Sequence, residues 1–143
     1  MKTSARNQFT GTVTRLGVGP VTTEVTLSLN DGHEITATLT SASARQLELK
    51  KGSEAIALIK SSSIILVTDF DEYRLSARNQ LAGTISRVEK GEVSTVVAVA
   101  LPGGGTVTSS VTNDAAAALG LAVGKPATAV FKAYSVLLAV ARA

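Results

Sequence analysis

Cysteine is absent from this 143-residue chain, which removes disulfides, thiolate metal sites and cysteine nucleophiles together. An intracellular setting is the natural expectation. Tryptophan is absent as well, and aromatic residues make up only 3% of the chain, too few for a long base-stacking surface. No apolar run approaches the roughly 20 residues that span a bilayer. After Lys2 the chain turns polar, with no apolar core or cleavage-like site of a secretory signal. Neither a phosphate-cradling Gly-rich loop ending in Lys-Ser/Thr nor a nucleophile elbow occurs.

Catalytic side chains are equally sparse. His33 is the single histidine, and its place beside Asn30-Asp31-Gly32 assigns it to a solvated turn. The acids Asp31, Asp69, Asp71 and Glu72 fall in turns or in a short linker, where solvation accounts for them. No catalytic residue is assigned and an enzyme is not expected. The formal net charge of +3, with a sequence pI near 9.5, allows anionic partners without amounting to a basic arm.

What is present is a repeat. Ser4-Ala5-Arg6-Asn7-Gln8 returns as Ser76-Ala77-Arg78-Asn79-Gln80, and subtracting 4 from 76 gives an offset of 72. At that offset, 25 of the 64 pairs from Ser4 to Val67 are identical without a gap. The chain is therefore two copies of one small unit. Residues 1–68 form the first domain, 69–74 a linker and 75–143 the second. A unit of this size is marginal alone without oligomerisation or another staple.

Each copy alternates apolar and polar residues in short runs rich in Val, Thr, Ile and Leu. In the first copy Phe9–Leu16, Glu24–Leu29 and Glu34–Leu39 read as strands, the last two joined through Asn30-Asp31-Gly32. Ser41 to Leu49 is the helical candidate, capped by Thr40 or Ser41, and Ala55–Lys60 and Ile64–Val67 complete the unit. The second copy turns at Pro102–Gly105 and places its helix at Asn113 to Leu121. Three strands, a short helix and two strands predict a mainly β protein: two tandem OB-like five-stranded barrels, each with one short helix. The last runs, Ile64–Val67 and Val136–Ala141, are apolar on both faces and are expected in subunit contacts.

The residues that recur with chemistry are hydrogen-bond donors. Arg6 and Arg78 supply planar charged forks, Lys60 and Lys132 ammonium groups at the end of an apolar strand, and Ser4, Ser76, Thr40 and Thr112 hydroxyls. Thr40 and Thr112 also precede a helix, where unpaired N–H groups suit an oxyanion. Each has a plain structural reading too: a salt bridge for Arg, an N-cap for Thr, a solvated strand end for Lys60, bends and turns for the recurring glycines.

Together, Ser-Ala-Arg-Asn-Gln, the following Gly-Thr-Val or Gly-Thr-Ile, Gly-x-Val, the Thr before the helix, and a closing Lys followed by Ser or Ala resemble the molybdenum-pterin-binding (Mop) domain of molbindins. That domain also occurs in molybdate-responsive regulators and transporter ATPase subunits. Two copies cover nearly the whole chain, as in a di-Mop molbindin. The resemblance implies an OB-like fold, a homotrimer, and a cytoplasmic protein of molybdenum storage and homeostasis. It would bind molybdate, with tungstate as a mimic, without a cofactor, direct metal ligation, nucleic acid or membrane. Carried over residue by residue, the resemblance places the oxyanion donors on Ser4, Arg6, Thr40, Ser43, Lys60 and Ser61. In the second copy they fall on Ser76, Arg78, Thr112, Lys132 and Ala133. Ala115 in place of Ser43, Ala133 in place of Ser61, and Asp114 in the second helix make the copies unequal. The alternatives are an OB-fold nucleic-acid-binding module, for which only Phe9, Phe70, Tyr73, Phe131 and Tyr134 could stack, and a purely structural assembly protein.

Overall fold

The computed structural model describes residues 1–142. The first copy forms β1 (Asn7–Val18), β2 (Thr22–Leu29), β3 (Glu34–Thr40), α1 (Ser41–Gln46), β4 (Glu54–Ile59), a 3-10 turn (Ser61–Ser63) and β5 (Ile65–Val67). The second forms β6 (Asn79–Lys90), β7 (Ser94–Ala100), β8 (Thr106–Thr112), α2 (Asn113–Leu119), β9 (Pro126–Phe131), a 3-10 turn (Ala133–Ser135) and β10 (Leu137–Ala139). Two OB-like five-stranded barrels result, each with one short helix, as the strand pattern predicts. None of the described helices is long and apolar enough to cross a membrane.

The barrels do not follow the repeat boundaries. One compact unit consists of Met1–Ile59 with Lys132–Ala143, the other of Lys60–Phe131. The sheets run β10-β4-β1-β2-β3 and β5-β9-β6-β7-β8. The last strand of each copy thus sits in the other copy's sheet: Leu137 pairs with Leu58 and Leu138 with Ala57, while Ile65 pairs with Val130 and Leu66 with Ala129. Repeats of near-identical pattern offer interchangeable edges, so the fifth strand fits either sheet. Lys60 and Lys132 are the residues at which the chain passes from one unit to the other.

Inward positions match across the repeat. Val13, Val25, Leu27, Ile35 and Ile59 are at most 1% exposed, and so are their counterparts Ile85, Val97, Val99, Val107 and Phe131. A methylene lost at Val99 is offset by the larger Phe131, a volume-conserving exchange of the kind cores tolerate.

The first strand of each copy is longer than expected and continues to Val18 and Lys90. It serves two neighbours, and a register shift between Val13 and Arg15, repeated between Ile85 and Arg87, lets it bend from one to the other. Gly11 and Gly83 lie two residues before that bulge. A Cβ at Gly83 would run into the Ala100 carbonyl oxygen and come within 2.8 Å of a Val99 methyl. Gly83→Ala is therefore expected to cost about 3 kcal/mol by overpacking against backbone that cannot retreat. Gly17→Ala, whose nearest neighbour would be 3.9 Å away, should be neutral or slightly stabilising. Thermal unfolding of the two variants checks the contrast.

Both helices end earlier than the apolar pattern suggests, at Gln46 and Leu119 rather than at Leu49 and Leu121. The cause is a left-handed residue at one repeat position: Glu48 has φ 54° and Gly120 φ 61°. The chain turns there, and Leu49 and Leu121 close it by donating to the carbonyls of Ala44 and Ala116, each at 3.1 Å. Both leucines are buried anchors just beyond the cap, which is why their spacing imitates a longer helix.

His33 is less solvated than its turn suggests. Its side chain is 22% exposed and Nδ1 stands 3.1 Å from Asp31 Oδ1. The His33 backbone N–H, donating to that oxygen at 2.9 Å, is the main cause holding the Asp31 carboxyl below its ordinary range.

Candidate functional site

The repeated Ser-Ala-Arg-Asn-Gln motif divides its work. Asn7 and Asn79 are 2% exposed at the start of β1 and β6. Asn7 Nδ2 donates to the carbonyl of its cross-strand partner Ile59 at 3.2 Å, fastening the strand end. Gln8 Nε2 donates to Ala5 O at 3.2 Å; Gln80 Nε2 donates to Leu75 O at 3.1 Å and Ala77 O at 2.9 Å. Ala5 N–H donates to Thr3 Oγ1 at 3.1 Å. Between these ties Ser4, Arg6, Ser76 and Arg78 are exposed. In the sequence only the Ser and Arg of this motif stand out as donors, although the Asn and Gln recur at the same offset.

Thr40 and Thr112 are N-caps, accepting from Ser43 N–H and Ala115 N–H at 3.1 Å. The Thr40 hydroxyl also donates to Ser43 Oγ at 2.8 Å, which passes the donor role outward to the Ser43 hydroxyl. Ala115 has no hydroxyl to receive the Thr112 proton, so that proton remains available to an outside acceptor. The substitution at the second helix therefore moves the outward-facing hydroxyl from the third helical residue to the cap and does not abolish it. Asp114 in the first turn of α2 is exposed and has no acidic counterpart in α1.

The strand exchange regroups the lysines. By compact unit, Lys132 and Ala133 fall with Ser4, Arg6, Thr40 and Ser43, and Lys60 and Ser61 with Ser76, Arg78 and Thr112, although each lysine directly follows the residue, Ile59 or Phe131, that pairs with its own copy's Asn7 or Asn79. In the first unit the Ala133–Ser135 turn packs against β3, the strand that ends in Thr40. In the second the Ser61–Ser63 turn packs against β8. There Ser61 Oγ shares a 2.8 Å hydrogen bond with Ser110 Oγ, and Ser109 Oγ donates to Ile64 O at 2.7 Å. Ser110 is two residues from Thr112 on the same face of the strand, so Lys60 and Ser61 lie beside the start of α2. Ser61 is buried and its hydroxyl is paired with Ser110, either oxygen being able to donate, and its backbone N–H is a donor it has in common with Ala133.

The arginines stand elsewhere. Asn7 pairs with Ile59 at one end of β1, and Val18 pairs with Thr23 at the other, next to the Thr22–Thr40 pair. Asn79 and Thr112 are separated in the same way, through Lys90–Thr95 and Ser94–Thr112. The 12 residues of the first strand thus keep Arg6 from Thr40 and Arg78 from Thr112 within a unit. Each unit carries two donor groups: a helix-start group of Thr, Lys and the 3-10 turn, and a strand-start group of Ser and Arg. The helix-start donors in the first unit are Thr40, Ser43, Lys132 and Ala133, all outward-facing except Ala133. Nearby ion pairs such as Arg15–Glu34, at 3.8 Å with both partners exposed, contribute little.

Two stretches, residues 3–66 and 75–138, match the TOBE domain. The chain belongs to the TOBE domain family. Among relatives of this TOBE protein, the molybdenum transport protein ModE of Herbaspirillum seropedicae is 59% identical over 140 residues, covering 98% of this chain and 52% of that protein. The molybdenum-pterin-binding protein MopA of Rhodobacter capsulatus is 45% identical over 139 residues, covering 97% of this chain and 52% of that protein. The chain spans about half the length of these relatives. A crystal structure of the cytoplasmic molybdate-binding protein ModG with molybdate bound superposes with a TM-score of 0.95 at 48% identity, covering 99% of this chain and 100% of that one. The Mop resemblance read from the motifs is thereby established for both TOBE copies.

Proposed function

We propose that this chain binds molybdate in the cytoplasm as a molybdenum store, through donor groups that take the oxyanion whole. The observation that carries this reading is the end-to-end match, at a TM-score of 0.95, to a protein described with molybdate bound. The donor chemistry supports it. A tetrahedral dianion only accepts hydrogen bonds, and Arg6, Arg78, Lys60, Lys132 and the neighbouring hydroxyl and backbone N–H groups only donate or can donate. Among the described residues, no group of three or more His, Cys, Asp or Glu side chains is placed to hold a bare metal ion.

Exposure of nearly every donor means that one chain offers half of a dry site, and burying a dianion takes several donors at once. Ile65 and Leu137, one repeat apart, are 63% and 67% exposed. Apolar side chains held outward at equivalent positions suit a homotrimer, whose neighbouring chain would cover them and complete the sites. Storage in this reading involves no catalysis. As for nucleic acid, Phe131 is buried and the two tyrosines, Tyr73 and Tyr134, are the strongly exposed aromatics, which is little for stacking bases.

Calorimetry with molybdate, tungstate, sulfate and phosphate tests the proposal. Saturable binding of the first two, with sulfate and phosphate at least tenfold weaker, is expected; the absence of a saturable molybdate isotherm overturns it. The sites should be unequal, since Asp114 sets a carboxylate in the first turn of α2, after Thr112, and the first turn of α1, after Thr40, has none. Asp114→Asn should therefore tighten the weaker class of sites.

A further inference from the structure

Neither copy's glutamine is a donor candidate for the anion, yet both reach back over the arginine before them. The structure assigns Gln8 and Gln80 as positioning residues that aim the Arg6 and Arg78 segments toward an oxyanion, an inference that rests on the molybdate reading above. Gln8 Nε2 holds Ala5 O and Gln80 Nε2 holds Ala77 O. In a trans peptide the carbonyl of one residue and the N–H of the next point in opposite directions, and there is no cis peptide among the described residues. Turning Ala5 O and Ala77 O onto the glutamines therefore turns the N–H groups of Arg6 and Arg78 the other way. Backbone N–H and guanidinium then approach an anion from one segment, with little rotational freedom left to lose on binding. Without the glutamine amide that peptide loses a hold on its orientation, and its carbonyl, an acceptor, can turn toward the dianion instead.

The two straps differ. Gln80 spans two carbonyls, those of Leu75 and Ala77, whereas Gln8 spans one. Gln80 should matter more. Methionine is close to glutamine in shape and cannot donate, so Gln80→Met and Gln8→Met remove the strap with little change in bulk. Both side chains are exposed, so the melting temperature should hardly change.

The test measures molybdate affinity by calorimetry on the full chain, together with the amide signal of Arg78 by NMR during titration. Gln80→Met is expected to weaken binding by about threefold to tenfold and Gln8→Met by about twofold to threefold, the range of one exposed hydrogen bond or two. In the unaltered chain the Arg78 amide signal should shift on adding molybdate, and in Gln80→Met this shift should shrink. Unchanged affinity and an unchanged Arg78 shift in Gln80→Met overturn the assignment. If Gln80→Met instead lowers the melting temperature by several degrees, Gln8→Met decides: full affinity in it overturns the assignment equally. Failure of the unaltered chain to bind molybdate would strike the functional proposal itself and is recognised separately by the first titration.

Discussion

A chain cut after Phe131 should lose the barrel built on the first copy and keep the one built on the second. The missing segment carries β10, whose Leu137–Ala139 stretch pairs with Leu58, Ala57 and Ile56 of β4, and the 3-10 turn packed on β3. It also carries Val136 and Ala133, which are 3% and 5% exposed. Removing one fully buried valine, part of a leucine and a row of ladder bonds costs about 3–5 kcal/mol. For a unit of some seventy residues that is on the order of the whole stability margin. Hydrogen exchange followed by mass spectrometry should show protection lost in β4 and the start of β1, and retained in β6 and β9. Two independent repeats would behave in the opposite way: the first would stay intact, and the second would lose its last strand.

Lys60→Ala should weaken molybdate binding by about tenfold to a hundredfold, the effect of deleting a charged donor to an anion. Its energetic partner is the informative part. The exchange sets Lys60 beside Thr112 in the second unit and leaves Thr40, the threonine of its own repeat, in the first. A double-mutant cycle of Lys60→Ala with Thr112→Val should show coupling, whereas the cycle with Thr40→Val should be additive to within about 0.5 kcal/mol. The reverse result would mean that the donors act repeat by repeat. Ser61→Ala should have a small effect on affinity, because that hydroxyl faces Ser110 and the second copy manages with alanine.

The contrast shows what the chain order could and could not reveal. Strand positions, both hairpins and both caps are local, written in alternation, in Asn30-Asp31-Gly32 and in Thr40 and Thr112, and all were legible. The strand exchange was not, because Ile65–Val67 and Leu137–Ala139 present nearly the same apolar edge and local sequence cannot say which sheet each joins. The grouping of donors depends on that choice. A linear reading therefore gathers Arg6, Thr40 and Lys60 into one site, whereas the fold holds Arg6 and Thr40 at opposite ends of β1 and leaves Lys60 one residue past the Asn7–Ile59 pair, at the Arg6 end. The length of the helices was hidden for a different reason: Leu49 and Leu121 keep helical spacing but lie past a left-handed turn. The roles of Asn7, Asn79, Gln8 and Gln80 could have been suspected from their recurrence alone, since a motif repeated in full is unlike one in which only the charged residues return.

Anomalous diffraction from crystals soaked in tungstate tests the central claim most directly. Peaks beside the Lys132, Thr40 and Ser43 group and beside the Lys60 and Thr112 group, each surrounded by nitrogen and hydroxyl donors, are the predicted result. A map with no peak at either lysine, or with peaks lying against carboxylates such as Asp69 or Asp71, would contradict it.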